Sequence, residues 1–429
     1  IIPQNSSTNP KLITELANVN YYPTFLVDNN NSNSVSIPPP SIMGQRLTIV
    51  NKGISPTSTW VNYGNQLNTS TGILAVQYAS NGNVWVSRKD SNVVEIWDNT
   101  LTSVSGSFTL SGWTERAYCF YEESGYMFVG GSFTTINGNA IPQYCLTRVN
   151  LYSYIEDPIY DSGGIINGVD GSGYGNGVYA ITSYGGVLYC GGVFSSFVSS
   201  GAFCYNLFFV GNYTAYSSSQ YYQEANGGVD GAVWALNNSN GYLFVGGDFN
   251  NVNYSVSPIS YQKIATWNNS AWDYVGGNGF NSSVYCIQNT PNYPYLIVGG
   301  AFTSPFYYVC YIDFNYPNNG ATDTTLSLSA PVRRNCIGYT GQNYINTDTN
   351  GIYYSPVFQS WTSLGTAYVG TPSFMGYWSG EPKIAFEDYV YIQSRTSVSQ
   401  TASFVLTSGN FKFNTGSYTT ANISLPDVG

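Results

Sequence analysis

The chain has no histidine. That single absence removes Ser-His-Asp triads, Cys-His pairs, imidazole acid–base catalysis and histidine-ligated metal sites. Charge is nearly as scarce. Asp, Glu, Lys and Arg make up 8% of the 429 residues, against about 25% in an ordinary soluble protein. The 13 Lys and Arg are scattered, and the net charge is −10. This argues against nucleic-acid binding, which needs clustered cations to neutralise phosphates. Strong helix formers are few, with Lys, Arg and Glu rare and only three Met. No run approaches the ~18 apolar residues of a transmembrane helix, so no membrane span is expected. The chain starts at Ile1 rather than Met, as after removal of a leader or in numbering that covers only a mature or ordered part.

What is abundant is equally one-sided. There are 40 Tyr, 22 Phe, 9 Trp and 46 Gly, and 43% of residues are hydrophobic. Such a chain can bury a large core, and its aromatic, β-branched and turn-forming residues favour strands over helices. A surface of Asn, Ser, Thr and Tyr can pack against itself without like-charge repulsion. That composition is typical of extracellular, adhesive or virion-surface proteins.

One motif repeats. A strand ends in Gly-Gly, then a small residue and Phe: Gly130-Gly131-Ser132-Phe133, Gly191-Gly192-Val193-Phe194, Gly246-Gly247-Asp248-Phe249 and Gly299-Gly300-Ala301-Phe302. Each copy is preceded by an alternating strand, respectively Ala117-Tyr118-Cys119-Phe120, Val178-Tyr179-Ala180-Ile181, Val233-Trp234-Ala235-Leu236 and Val284-Tyr285-Cys286-Ile287. A short Gly/Asn turn between them makes a hairpin. A third strand follows, as in Lys263–Trp267, and a turn at Asn268-Asn269-Ser270 leads to a fourth at Ala271–Val275. Four antiparallel strands in ~40–60 residues is the pattern of a β-propeller blade. Weaker units lie at Leu74–Val86, Asn335–Tyr354 and Lys383–Ile392. The expected fold is therefore all-β, a propeller of about seven four-stranded antiparallel blades, with six the alternative. Its limits are residues 61–405. Residues 1–60 form an N-terminal arm or small β module. Residues 406–429 supply C-terminal strands that close or cap the ring. The paired glycines are scaffold, because no Lys and no helix follows them as a phosphate loop requires. A glycine lets a strand end bulge or approach another backbone closely.

These repeats, best seen in Ile264-Ala265-Thr266-Trp267-Asn268-Asn269-Ser270-Ala271-Trp272 and in Gly299-Gly300-Ala301-Phe302-Thr303, resemble a family of kelch-like propeller proteins. That family is abundant in giant DNA viruses of protists and in some secreted bacterial proteins. The likeness covers residues 110–305 well and the flanks poorly. It implies a propeller on a virion surface or in a secreted adhesive protein, and it carries no catalytic residues to transfer.

Candidate sites are few. Nine Asn-x-Ser/Thr sequons, at Asn5, Asn30, Asn68, Asn212, Asn237, Asn253, Asn268, Asn281 and Asn422, are potential glycan acceptors, though an Asn/Ser/Thr-rich chain produces many by chance. Of seven cysteines, Cys190 and Cys204 fall in adjacent strands, where a disulfide is geometrically open; the plain alternative is small buried hydrophobes. The stretch Asp28-x-Asn30-x-Ser32 lacks the later Gly and Glu of a calcium loop. No sialidase-type Asp-box turn occurs. A carboxylate-pair glycosidase needs no histidine, but nothing in the spacing supports one. No cofactor and no enzymatic activity are expected. The first functional reading is a structural or surface-display protein contacting copies of itself or capsid-like proteins. The second is a carbohydrate-binding adhesin, which requires a concave face lined by Trp and Tyr with Asn or Asp. A histidine-free hydrolase is a distant third.

Overall fold

The computed structural model describes residues 71–396 apart from 140–141, 160–175, 199–201, 214–220, 226, 278, 291–292, 338–341, 350, 356–360, 367–370, 380 and 388, together with Thr59–Tyr63 and the strands of the flanks. The chain divides into two compact units, residues 60–395 and a second formed by residues 1–59 with 396–429.

The larger unit is a seven-bladed β-propeller. Its innermost strands, blades 1 to 7 in order, are Ile73–Tyr78, Arg116–Glu123, Gly177–Tyr184, Val233–Ser239, Val284–Asn289, Val332–Ile337 and Pro372–Trp378. Each packs against the next, and the last packs against the first. Behind each, antiparallel strands continue outward. Blade 4 runs Val233–Ser239, Tyr242–Gly247, Ile264–Trp267, Trp272–Tyr274. Its first turn places Asn240 and Gly241 at φ 47° and 78°, the left-handed pair that a two-residue hairpin needs. Its outer turn is closed by the Asn268 side chain, which accepts from the Ser270 and Ala271 amides. Blade 2 has three strands among the described residues, and Thr135–Ile136 from its loop extends the sheet of blade 1.

The phenylalanines of the repeat glue neighbouring blades. Phe133, Phe249 and Phe302 are fully buried and Phe194 nearly so. Phe133 joins Trp85 and Phe108 of blade 1, and Phe194 joins Phe128 and Leu146 of blade 2. Each such ring contributes about 1.5–3 kcal/mol of burial.

The sixth and seventh blades differ from their sequence-based outline. Residues 335–337 belong to an innermost strand that pairs with Asn343–Thr347, and Gly351–Ser355 is the third strand. Glu381–Phe386 and Tyr389–Thr396 are second and third strands behind Pro372–Trp378. Neither blade has a Gly-Gly, and blade 7 starts on a proline, which a strand tolerates at its first residue.

The ring is closed by Thr59–Tyr63, which forms the outer edge of blade 7. The buried Lys383 ammonium sits over the rings of Tyr63 (4.5 Å) and Trp378 (5.3 Å) and donates to the carbonyls of Trp378 and Glu381. The C-terminal strands pair with N-terminal ones in the smaller unit. There Asn410–Phe413 is antiparallel to Ser34–Ser36 and Thr420–Ser424 to Arg46–Asn51. Among the described residues no helix is long and apolar enough to cross a membrane.

Candidate functional site

All seven innermost strands carry a β-bulge at the same place, near their first residue. The extra residues are Leu74, Tyr118, Tyr179, Trp234, Tyr285, Arg333 and Ser373. A bulge re-aims a side chain relative to the regular pleat. Here six of these seven side chains line one cavity of ≈600 Å³ to which every blade contributes, the mouth of the axial channel.

The Gly-Gly pairs sit at this bulge. In blade 2, a Cβ on Gly131 would lie 2.0 Å from the Arg116 carbonyl oxygen, and one on Gly130 would lie 2.7 Å from Val178 of blade 3. The second glycine thus makes room for the kinked inner strand, and the first for the next blade. The pairs at Gly191-Gly192, Gly246-Gly247 and Gly299-Gly300 occupy the same register.

Around the mouth several neighbouring side chains touch. Tyr118 and Tyr179 stack at 4.4 Å and 2°. Trp234 meets Tyr179 edge-on at 5.0 Å, and its Nε1 donates to Asp248 Oδ2 at 2.8 Å. The Ser283 hydroxyl donates to the other Asp248 oxygen. Arg333 lies 4.0 Å over the Tyr285 ring and donates to Asp348 at 2.7 Å. Arg334 donates to the Ser373 and Arg333 carbonyls, while the Ser373 hydroxyl is buried with no hydrogen-bond partner. The aromatic groups come from blades 2–5 and the guanidinium groups from blade 6.

The electrostatics follow from burial. Burial raises the Tyr179 phenol, and the neighbouring Tyr118 and Glu387 add to the shift, so it stays protonated. Burial lowers the Arg334 pKa. It also works against the charge of Arg333, and more strongly than any other single influence, but the Asp348 hydrogen bond together with the charges of Tyr285, Asp348 and Glu387 outweighs it and the Arg333 pKa is raised. Among the described residues no group of three or more Cys, Asp or Glu is placed to hold a metal ion.

The candidates raised from sequence lie elsewhere. Cys190 and Cys204 are free buried thiols. Cys190 pairs in register with Phe208, and Cys204 lies in the loop before that strand. Among the sequons, Asn212 is an exposed turn residue. Asn237 is inside a strand with Oδ1 buried and unpartnered. Asn253 donates to the Ser257 carbonyl, Asn268 closes its turn, and Asn281 is tied to Thr303 at both ends of its amide. The Asn422 side chain and all of Asn5, Asn30 and Asn68 lie outside the described residues. Sequence reasoning did not single out the axial ring. The available signal was an aromatic residue at one position of four successive hairpins, Tyr118, Tyr179, Trp234 and Tyr285.

No protein-family model matches the chain, and no curated protein matches it in sequence. Among solved structures it is similar to the RRP9 WD40 repeats, with 11% identity over 79% of this chain and 99% of that one and a TM-score of 0.52. It is also similar to the extracellular domain of a putative hybrid two-component system from B. thetaiotaomicron, with 12% identity over 77% of this chain and a TM-score of 0.51; it spans 40% of that chain. These likenesses are of fold. They give a seven-bladed propeller, and no sequence match attaches the chain to kelch-like or giant-virus proteins.

Proposed function

We propose that this chain is a non-catalytic glycan-binding propeller acting outside the cell, with the axial mouth as its binding site. The observation that carries this reading is the composition of that mouth. Tyr118, Tyr179, Trp234 and Tyr285 offer aromatic surface on one arc, and Arg333, Arg334 and Ser373 offer polar groups on the other. A sugar ring needs both, since its C–H faces pack on aromatic rings and its hydroxyls need donors and acceptors. Asp248, a carboxylate lining the mouth, is engaged as an acceptor by Trp234 and Ser283, whereas a glycosidase keeps one carboxyl protonated to donate. The uncharged surface suits an extracellular setting, which one of the fold neighbours shares.

The test is a glycan array probed with the full chain and with Trp234→Ala, both checked for an intact thermal transition. Wild type should bind a defined set of glycans and the variant at least tenfold more weakly. A folded wild-type protein that binds none of them rules this reading out. A second reading, a structural component of a surface assembly such as a virion, draws on the repeat resemblance and on the separate β unit built from both chain ends. It predicts purification as a particle or filament rather than a monomer.

A further inference from the structure

The topology of the blades puts more than the axial mouth on one face. In every blade the innermost strand begins at the mouth and the second strand ends there, so each connection from second to third strand emerges on that face. These connections are short in blades 1, 6 and 7. They are long in blades 2, 3 and 4, where they span residues 133–145, 194–206 and 248–263.

The loops of blades 3 and 4 carry large apolar side chains in the open. Phe203 is 70% exposed, Val256 75% and Tyr254 41%. They do not hang loose. Phe203 stacks on Tyr205 at 5.7 Å and 11°, and Tyr205 meets Tyr254 edge-on at 5.2 Å. Glu224 ties both loops together, accepting from the Tyr205 amide and the Ser255 hydroxyl. A bridge between Val229 and Val252 and a hydrogen bond from the Val229 amide to the Tyr205 carbonyl fix the blade 3–blade 4 connection beneath them. Three large apolar side chains exposed together and braced on one face form a patch that a ligand can cover.

We propose that the ligand is an extended oligosaccharide, held at one sugar by the axial mouth and at a second by the Phe203–Tyr205–Tyr254 platform on the same face. This rests on the glycan reading of the mouth. An oligosaccharide fits better than a protein partner for two reasons. The platform is small and flanked by hydrogen-bonding groups, Asn253, Ser255, Ser257 and the Glu224 carboxylate that binds Ser255. It also lies on the same face as the mouth, in the loop that leaves the Gly191-Gly192 strand end of blade 3, and shares its aromatic chemistry.

The probes are length series of cello-, manno- and chito-oligosaccharides of two to six units, titrated calorimetrically against wild type, the double variant Phe203→Ala/Tyr254→Ala, and Trp234→Ala. Wild type should bind the hexamer of at least one series about tenfold or more tighter than its dimer. The double variant should bind both with the dimer's affinity, and Trp234→Ala should lose both. Equal affinity of wild type for dimer and hexamer overturns the platform and leaves the mouth standing. An unchanged hexamer affinity in the folded double variant does the same. Array binding by wild type without binding to any series overturns the platform, and no binding to either the array or any series overturns the glycan reading itself. Because Phe203 and Tyr254 are exposed, thermal melts of the double variant should match wild type.

Discussion

Asn346 of blade 6 occupies the register held by the first glycine of the repeat in blades 2–5, since it faces Arg334 as Gly130 faces Cys119. It is fully buried, and neither its Nδ2 nor its Oδ1 has a hydrogen-bond partner. A buried unsatisfied polar group costs about 1–3 kcal/mol. Asn346→Ala is therefore expected to stabilise the protein, raising Tm by about 1–4 °C in a reversible melt. A lower Tm would mean that the amide supports its surroundings in a way the hydrogen-bond pattern does not reveal. At this scale the sequence was informative where side-chain type follows from strand alternation. Tyr118, Tyr179, Trp234 and Tyr285 were visible as strand residues. That they leave the pleat and gather at the axis was not visible, because one extra residue in a strand has no local signature.

At the scale of the element, the Gly-Gly strand end is the decisive device. Its two glycines are not equivalent. A Cβ on Gly131 meets a backbone carbonyl, whereas one on Gly130 meets the Cys119 and Val178 side chains, which can shift by rotamer. Overpacking of this kind costs about 1–3 kcal/mol and more where the backbone must move. The urea midpoint should fall in the order wild type, Gly130→Ala, Gly131→Ala. Equal midpoints for the two variants would contradict the assignment of separate roles. The hairpins that carry Gly-Gly were legible from sequence almost strand for strand. Blades 6 and 7 were not, because their second strands end in Asn346-Thr347 and Ala385-Phe386, and the bulge there forms without a glycine to mark it.

For the whole molecule, the question is what keeps the ring shut. Thr59–Tyr63 joins a sheet whose other strands lie more than 300 residues further along, and Lys383 is boxed between Tyr63 and Trp378 at that seam. Burial lowers the Lys383 pKa to about 8, against the upward pull of Glu381. The folded state therefore favours the neutral amine more than the unfolded chain does. Its contribution to stability is complete above the unfolded value near 10.5 and is lost as pH falls through about 8. Between pH 7 and pH 9 the Tm of wild type relative to Lys383→Met should shift in favour of wild type. A difference that stays flat, or moves the other way, would show that the charge at this seam is not penalised by burial.

The sequence by itself determined the class of fold, the repeat, the hairpin turns and the exclusion of histidine chemistry. Each of these is a local or compositional property: alternation with period two, Asn-Gly pairs, a residue type that is missing. Only the tertiary structure decided which strand closes the ring, where the C-terminal strands pair, and that one bulge per blade converges on a common axis. Those depend on register between segments far apart in the chain, where the strand pattern is compatible with many partners and packing selects one.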